Sequence, residues 1–271
     1  MPDEQIITPK PYHIFLALPA GGDYSVILPM LESVQFHGVP AGHRLSIGPR
    51  GSSALPHNFN ELWCQALNGR ETHGVTHFAM LHSDTWVEPG WLGKLLAILP
   101  GRPEPLVSVV SPIKSDHGLT CVALDTDYWA PRKLSMNEIM DLPPTFGQEA
   151  ITTEVLGDPI GKLLVGAGAW LADIRPRGMP QPDPKDDELL DWAGSCWFEF
   201  KDKVHQDKES GLFTSVFANE SWNLHRQMAA MGIGVLSTRE VELHHYGTQR
   251  WVNNRRWGTV KTERKEASDV D

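Results

Sequence analysis

The chain has 271 residues, of which 41% are hydrophobic and 21% charged, and a formal net charge of −10. This length suits one large α/β domain with a full core, or two small ones, and the negative charge argues against a protein that grips nucleic acid mainly by its phosphates. Three scattered cysteines (Cys64, Cys121, Cys196) argue against a disulfide framework or a zinc knuckle. No apolar run reaches the roughly 20 residues of a membrane span, and the start MPDEQIITPKPYH lacks a signal core, so a cytoplasmic location is expected.

After a leader expected to be disordered (residues 1–12), residues 13–18 read as a first strand, stopped by Pro19 and Gly21. A helix follows with Val26, Ile27, Met30, Leu31 and Val34 on one face. Residues 44–47 make a second strand, and 48–53 a loop that lacks the Gly-Lys-Ser/Thr ending of a P-loop. The next helix keeps Phe59, Leu62, Trp63, Ala66 and Leu67 at helical spacing. Residues 77–82 are a buried strand ending in Ser83-Asp84-Thr85, and Glu88-Pro89-Gly90 turns into a helix carrying Leu92, Leu95, Leu96 and Leu99.

Residues 106–111 form a fourth strand, and 113–160 loosen into loops with a short hairpin. Residues 163–174 return as strand, with Gly166 and Gly168 marking close backbone approach, and 179–191 are a polar insertion. Asn219 caps a helix over 219–231, and strands over 233–236 and 239–243 run into His244-His245-Tyr246-Gly247. This order predicts an α/β fold: a doubly wound, mostly parallel sheet with a small antiparallel addition, in one domain over 13–258 followed by a charged tail, 259–271.

An acid at the carboxyl end of a central strand faces the crevice where open α/β sheets bind ligands, which singles out Asp84, with His82 two residues earlier. Glu220 opens a helix whose dipole would hold it ionised. Strand alternation sets Val241, Leu243 and His245 on one face and His244 on the other. Taken singly, Asp84 reads as a helix cap, Glu220 as an ordinary first-turn acid and His82 as a core histidine.

In this order the residues resemble the GT-A type of nucleotide-sugar glycosyltransferase, of a family-2-like kind. His82-Ser83-Asp84 resembles a variant of its Asp-x-Asp motif. Asn219-Glu220-Ser221-Trp222, followed by Arg226 and Gly232, resembles its Glu-Asp or Glu-Glu helix start, and Leu243 to Gly247 resembles its late His-x-Gly. The resemblance spans 13–258 and implies a single GT-A-like domain in which Asp84, His245 and His82 hold Mn²⁺ or Mg²⁺. It further implies Glu220 as the base of an inverting transfer. Pro19, Ala20, Arg50, Asn58, Asn60, Ser83, Arg250 and Arg255 fall to the donor, a nucleotide sugar with UDP favoured. Trp222, Gly166 and Trp251 fall to the acceptor or sugar.

Two departures matter. His82 stands in place of the first acid, which leaves the metal to Asp84 and opens metal-independent chemistry. Asn219 stands in place of the first acid of the Glu-Asp pair, which shifts the base role to Glu220. The chemistry asks for such residues: a cation offsets the charge growing on a diphosphate leaving group, and a carboxylate takes the acceptor's proton. Oxygen ligands suit Mg²⁺, and an imidazole among them suits Mn²⁺.

A non-catalytic nucleotide- or sugar-binding module and a metal-dependent hydrolase are the alternatives. The acceptor is open among a glycan, a protein and, as in some viral members of this broad fold, a modified base in DNA; the location would then be the host cytoplasm. Residues 247–258 set Arg250, Arg255 and Arg256 about Trp251 and Trp257, and are expected to form a glycine-hinged flap over the donor.

Overall fold

Alternate residues of the first strand, β1 (His13–Ala20), enter two different cores: Ile14, Leu16 and Leu18 one, Ala17 and its neighbour Phe15 the other. The computed structural model describes residues 11–21, 27–156, 161–176, 189–247 and 249–260. Most of the leader, most of the polar insertion and most of the tail, together with Val26, lie outside the described residues.

The elements follow as α1 (Ile27–Gln35), β2 (Arg44–Gly51), α2 (Leu55–His73), β3 (His77–Leu81), β4 (Thr85–Val87), α3 (Trp91–Ile98) and β5 (Leu106–Val109). Next come β6 (Leu119–Asp125), β7 (Arg132–Ser135), α4 (Met136–Asp141), β8 (Thr145–Phe146), α5 (Thr153–Leu156), β9 (Lys162–Leu164) and β10 (Ala169–Asp173). The chain continues through β11 (Lys201–Gln206), β12 (Phe213–Ala218), α6 (Glu220–Ala230), β13 (Leu236–Thr238), β14 (Leu243–Tyr246) and β15 (Arg250–Val252).

The central sheet has the order β2-β1-β3-β10-β5-β13-β8. Five of its seven strands point the same way, and β10 and β8 oppose them. One face is covered by α2 and α6, through Phe59, Leu62, Trp63, Leu224 and Met228; the other by α1 and α3, through Met30, Trp91, Leu92 and Leu95. The chain is therefore a single α/β domain with helices on both faces of a mostly parallel sheet, and three small antiparallel sheets beside it.

Several expectations shift. Leu31 is 49% exposed, because α1 turns Met30 and Ser33 inward instead. Residues 48–51 are not a loop: they continue β2 in parallel register with β1, from Ala17↔Gly48 to Ala20↔Gly51. Residues 163–174 divide into β9 and β10, and β10 is antiparallel because a short turn, not a helical crossover, delivers it to the sheet. The cause is local. A Cβ on Gly166 would lie 2.5 Å from Cys121 Cβ, and one on Gly168 2.5 Å from Ser111 Oγ. The late strands form further along, at β13 and β14, so the two histidines lie inside a strand and not after it. Residues 113–160 hold more order than expected: α4 starts at a capping box made by Ser135 and Glu138.

Candidate active site

The parallel strands β3 and β5 finish at the same edge of the sheet, and the chain beyond each supplies a charged side chain. Past β3, Asp84 enters the short strand β4, which is antiparallel to β14 with His245 opposite Thr85. Tyr246 N donates to Asp84 O at 2.8 Å, so the backbone ladder itself draws these two distant segments together. His245 Nε2 then lies 3.4 Å from Asp84 Oδ2. The other ring nitrogen, Nδ1, donates to Pro112 O at 2.7 Å, which orients the ring with Nε2 toward Asp84. His244 turns away to stack on Trp86, 4.5 Å between centroids, and to bond Glu242 at 2.6 Å.

Past β5, Lys114 sets its ammonium on Asp84 Oδ2. Burial alone would raise the Asp84 carboxyl, but hydrogen bonds from His245 and Lys114 and the nearby His82 hold it far below the usual carboxylate range. The backbone N–H of His82 donates to Gly168 O at 2.9 Å, and its ring packs on Phe59 at 5.2 Å. Its Nε2 is buried with no hydrogen-bond partner, and burial lowers its pKa to about 4, so the ring is neutral. Asp84 is not the cap of α3, which begins seven residues on behind Gly90.

Glu220 is the first residue of α6 and is 8% exposed. Asn219 caps the helix, accepting from Ser221 N at 2.9 Å. Burial raises the Glu220 carboxyl above its ordinary range, so desolvation outweighs the helix dipole expected to hold it ionised. One turn on, Trp222 donates Nε1–H to Cys121 O at 3.1 Å, with Lys133 Nζ 5.9 Å from its ring centre. Cys121 therefore joins the two halves of the site: its thiol feels Lys133, Asp84, Glu220 and Lys114, and burial pushes it up to about 11, leaving it protonated. Gly166 packs on this residue, and its carbonyl accepts from Ser108 Oγ at 2.7 Å.

The residues expected at the donor fall into two groups. Pro19 and Ala20 end β1, opposite Arg50 and Gly51, and Ser83 is buried beside Asp84. Asn58 is fully buried; its Nδ2 donates to Ser52 O at 3.2 Å, and its Oδ1 has no partner. Arg50 pairs with Glu61 of α2. Asn60 bonds the backbone of Phe198 in both directions, at 2.7 and 2.8 Å, so its side chain clamps a loop.

The expected flap is instead a tied segment. Trp251 in β15 is 7% exposed and stands opposite His245, and Asn253 is fully buried with its side chain on Leu243 N and Val241 O. Arg256 bonds Asn137 O and pairs with Asp141, and Trp257 donates to Val252 O at 2.8 Å. Arg250 and Arg255 are exposed.

Lys114, Lys133 and Cys121 were not singled out from the sequence. The signal for Lys114 was present, since it follows a strand parallel to the one that carries Asp84 and so opens on the same crevice. Asp84 and His245 are the pair in a position to share a cation. Among the described residues no group of three or more His, Cys, Asp or Glu could hold one unaided.

Fold and site together define a single-domain α/β protein with an acid, imidazole and ammonium cluster at the carboxyl end of its sheet. By sequence the chain matches no protein-family model and no curated protein. By structure it is similar to A197 from STIV, at 10% identity over 93% of this chain and 100% of that one, with a TM-score of 0.42. It is also similar to HddC from Yersinia pseudotuberculosis complexed with GMP-PN, at 12% identity over 59% of this chain and 76% of that one, with a TM-score of 0.28. At such scores any reading of function rests on the chain's own residues. Among the described residues no helix is long and apolar enough to cross a membrane.

Proposed function

We propose that the chain is a glycosyltransferase that moves a sugar from a nucleotide sugar, with UDP-sugars favoured, to an acceptor hydroxyl with inversion. The observation that carries the reading is the approach of His245 Nε2 to Asp84 Oδ2, with Nδ1 anchored on Pro112 and Lys114 on the same carboxylate. One carboxylate oxygen and one imidazole nitrogen would suit Mn²⁺ or Mg²⁺ as two ligands of several, the rest being diphosphate oxygens and water. When bound, such a cation would offset the charge that develops on the departing diphosphate.

The protein's own residues do the remainder. Lys114, whose ammonium lies on Asp84, would offer a second positive charge to that diphosphate. Glu220, whose carboxyl burial raises, is suited to take the acceptor's proton. Trp222 and Gly166 form the wall behind Cys121 that an acceptor would meet. A glycan or protein acceptor suits the net charge of −10.

Calorimetric titration of UDP with Mn²⁺ present tests the reading. The wild type is expected to bind, and Lys114→Met to bind about 10–100-fold more weakly, the value of one hydrogen bond to a charged group. A wild type that binds no nucleoside diphosphate contradicts the reading. Equal binding by Lys114→Met removes only the role of Lys114.

A further inference from the structure

Strands β11 and β12 form a two-stranded ribbon of their own, apart from the other sheets. Their register, from Lys201↔Ala218 to Gln206↔Phe213, sorts the side chains onto two faces. One face carries Lys201, Lys203, His205, Val216 and Ala218 and is turned to the protein. Lys201 lies 5.8 Å from the Tyr128 ring centre and Lys203 5.8 Å from that of Trp129, while Ala218 is buried. Among the described residues the opposite face is uncovered. Phe213 is 73% exposed, Val204 66%, Phe217 55% and, at the turn, Leu212 67%. Phe200 stacks on Phe217 at 5.6 Å and extends the same surface.

We infer that this face is the contact between two copies of the chain, packed ribbon against ribbon about a twofold axis. Three considerations favour a second copy. Taking about 150–250 Å² per aromatic side chain, these five residues expose roughly 500–600 Å² of apolar surface. That is the upper end of what a monomer leaves bare, and two such faces remove about 1,000–1,200 Å² before any rim atoms are counted. This reaches the threshold of a specific interface.

The second consideration is charge. Two copies of a chain at −10 repel, but the ribbon is balanced: Lys201, Lys203 and Lys208 stand against Asp202, Asp207 and Glu209. The one charge on the apolar face, Asp202, is already held by Ser215 Oγ at 2.8 Å. The third is the ribbon itself. Two strands alone are marginal in water, and cover on the second face is what would steady them. A self-complementary apolar patch satisfies all three, since a twofold contact uses the same surface on each side.

The ribbon is rooted beside the candidate base. Asn223 Nδ2 bonds Glu199 O at 2.6 Å, and β12 ends at Ala218, directly before the Asn219 cap.

Light scattering after gel filtration, together with sedimentation of the full chain up to ~100 μM, tests the inference by mass action. The wild type is expected at about twice the 30.2 kDa monomer mass. Phe213→Asp with Phe217→Asp, and separately Val204→Glu, should weaken the dimer by at least ~30-fold, as loss of a central hot spot does. Their circular dichroism at low temperature should stay close to wild type, because the replaced side chains stand in water in a single copy, and their Tm should lose the concentration dependence of the dimer. A wild type that remains monomeric overturns the inference, even if its ribbon then adsorbs to phosphatidylcholine vesicles. So does a dimer that survives both variants.

Discussion

Asp84→Asn is expected to leave the fold in place and to reduce nucleoside diphosphate release by 10²–10³-fold or more, the usual cost of removing a group aimed at developing charge. Asn keeps the shape of the side chain. It loses the negative oxygen that His245 and Lys114 share, so both lose the group that orients them. Stability should change little at neutral pH, by about 1 kcal/mol, because the pair is partly solvated. The pH dependence carries the sign. In the fold this carboxyl sits below its unfolded value of about 3.9, so its contribution is present above that pH and fades as pH falls below it. Acid unfolding followed by tryptophan fluorescence should therefore be shallower for Asp84→Asn than for wild type. Unchanged turnover by the variant would remove Asp84 from the mechanism.

The second large effect is expected at Glu220. Glu220→Gln is nearly isosteric and should lower transfer to an acceptor by about 10²–10⁴-fold while donor binding survives. Because burial raises this carboxyl, the wild-type rate should climb with pH through a value above the ordinary carboxylate range, and the variant's rate should not. Stability runs the other way. A raised group favours the fold at low pH and loses that contribution as pH rises through its folded value, so at neutral pH the buried charge is a cost. Removing it should raise Tm by on the order of 2–4 °C for each ~1 kcal/mol regained in a domain of this size. A variant that is less stable, or that transfers as well as wild type, would return Glu220 to the ordinary first-turn acids of helices. Retention at the sugar carbon would also take the base role from it.

The parts of the fold legible in the sequence are those whose periodicity is strong and local. The apolar runs of β1 and β3 and the helical spacing of α2 and α6 declare themselves, since each element buries a full stripe against the sheet. Less legible were elements defined by a partner far along the chain. Nothing within residues 48–51 announces a strand; it forms because β1 offers eight consecutive partners. The reversal of β10 depends on two glycines meeting Cys121 and Ser111, contacts that spacing alone cannot give.

The candidate site divides in the same way. Asp84, Glu220 and His245 stand out because an acid after a strand, an acid at a helix start and a histidine near a late strand are visible one at a time. Lys114 and Cys121 were not visible, because their meaning comes from the strands that bring them beside Asp84. The segment after His245 was read as a flap because charge and tryptophan dominate it. The fold instead spends that composition on a third strand and on the buried Asn253.

The most direct test of the account is release of nucleoside diphosphate from a panel of nucleotide sugars, measured on the full chain with and without Mn²⁺. Transfer to water or a supplied acceptor predicts slow release from one donor, UDP-linked by preference, that Asp84→Asn abolishes. Binding without any release across the panel, or release that Asp84→Asn leaves intact, would contradict it.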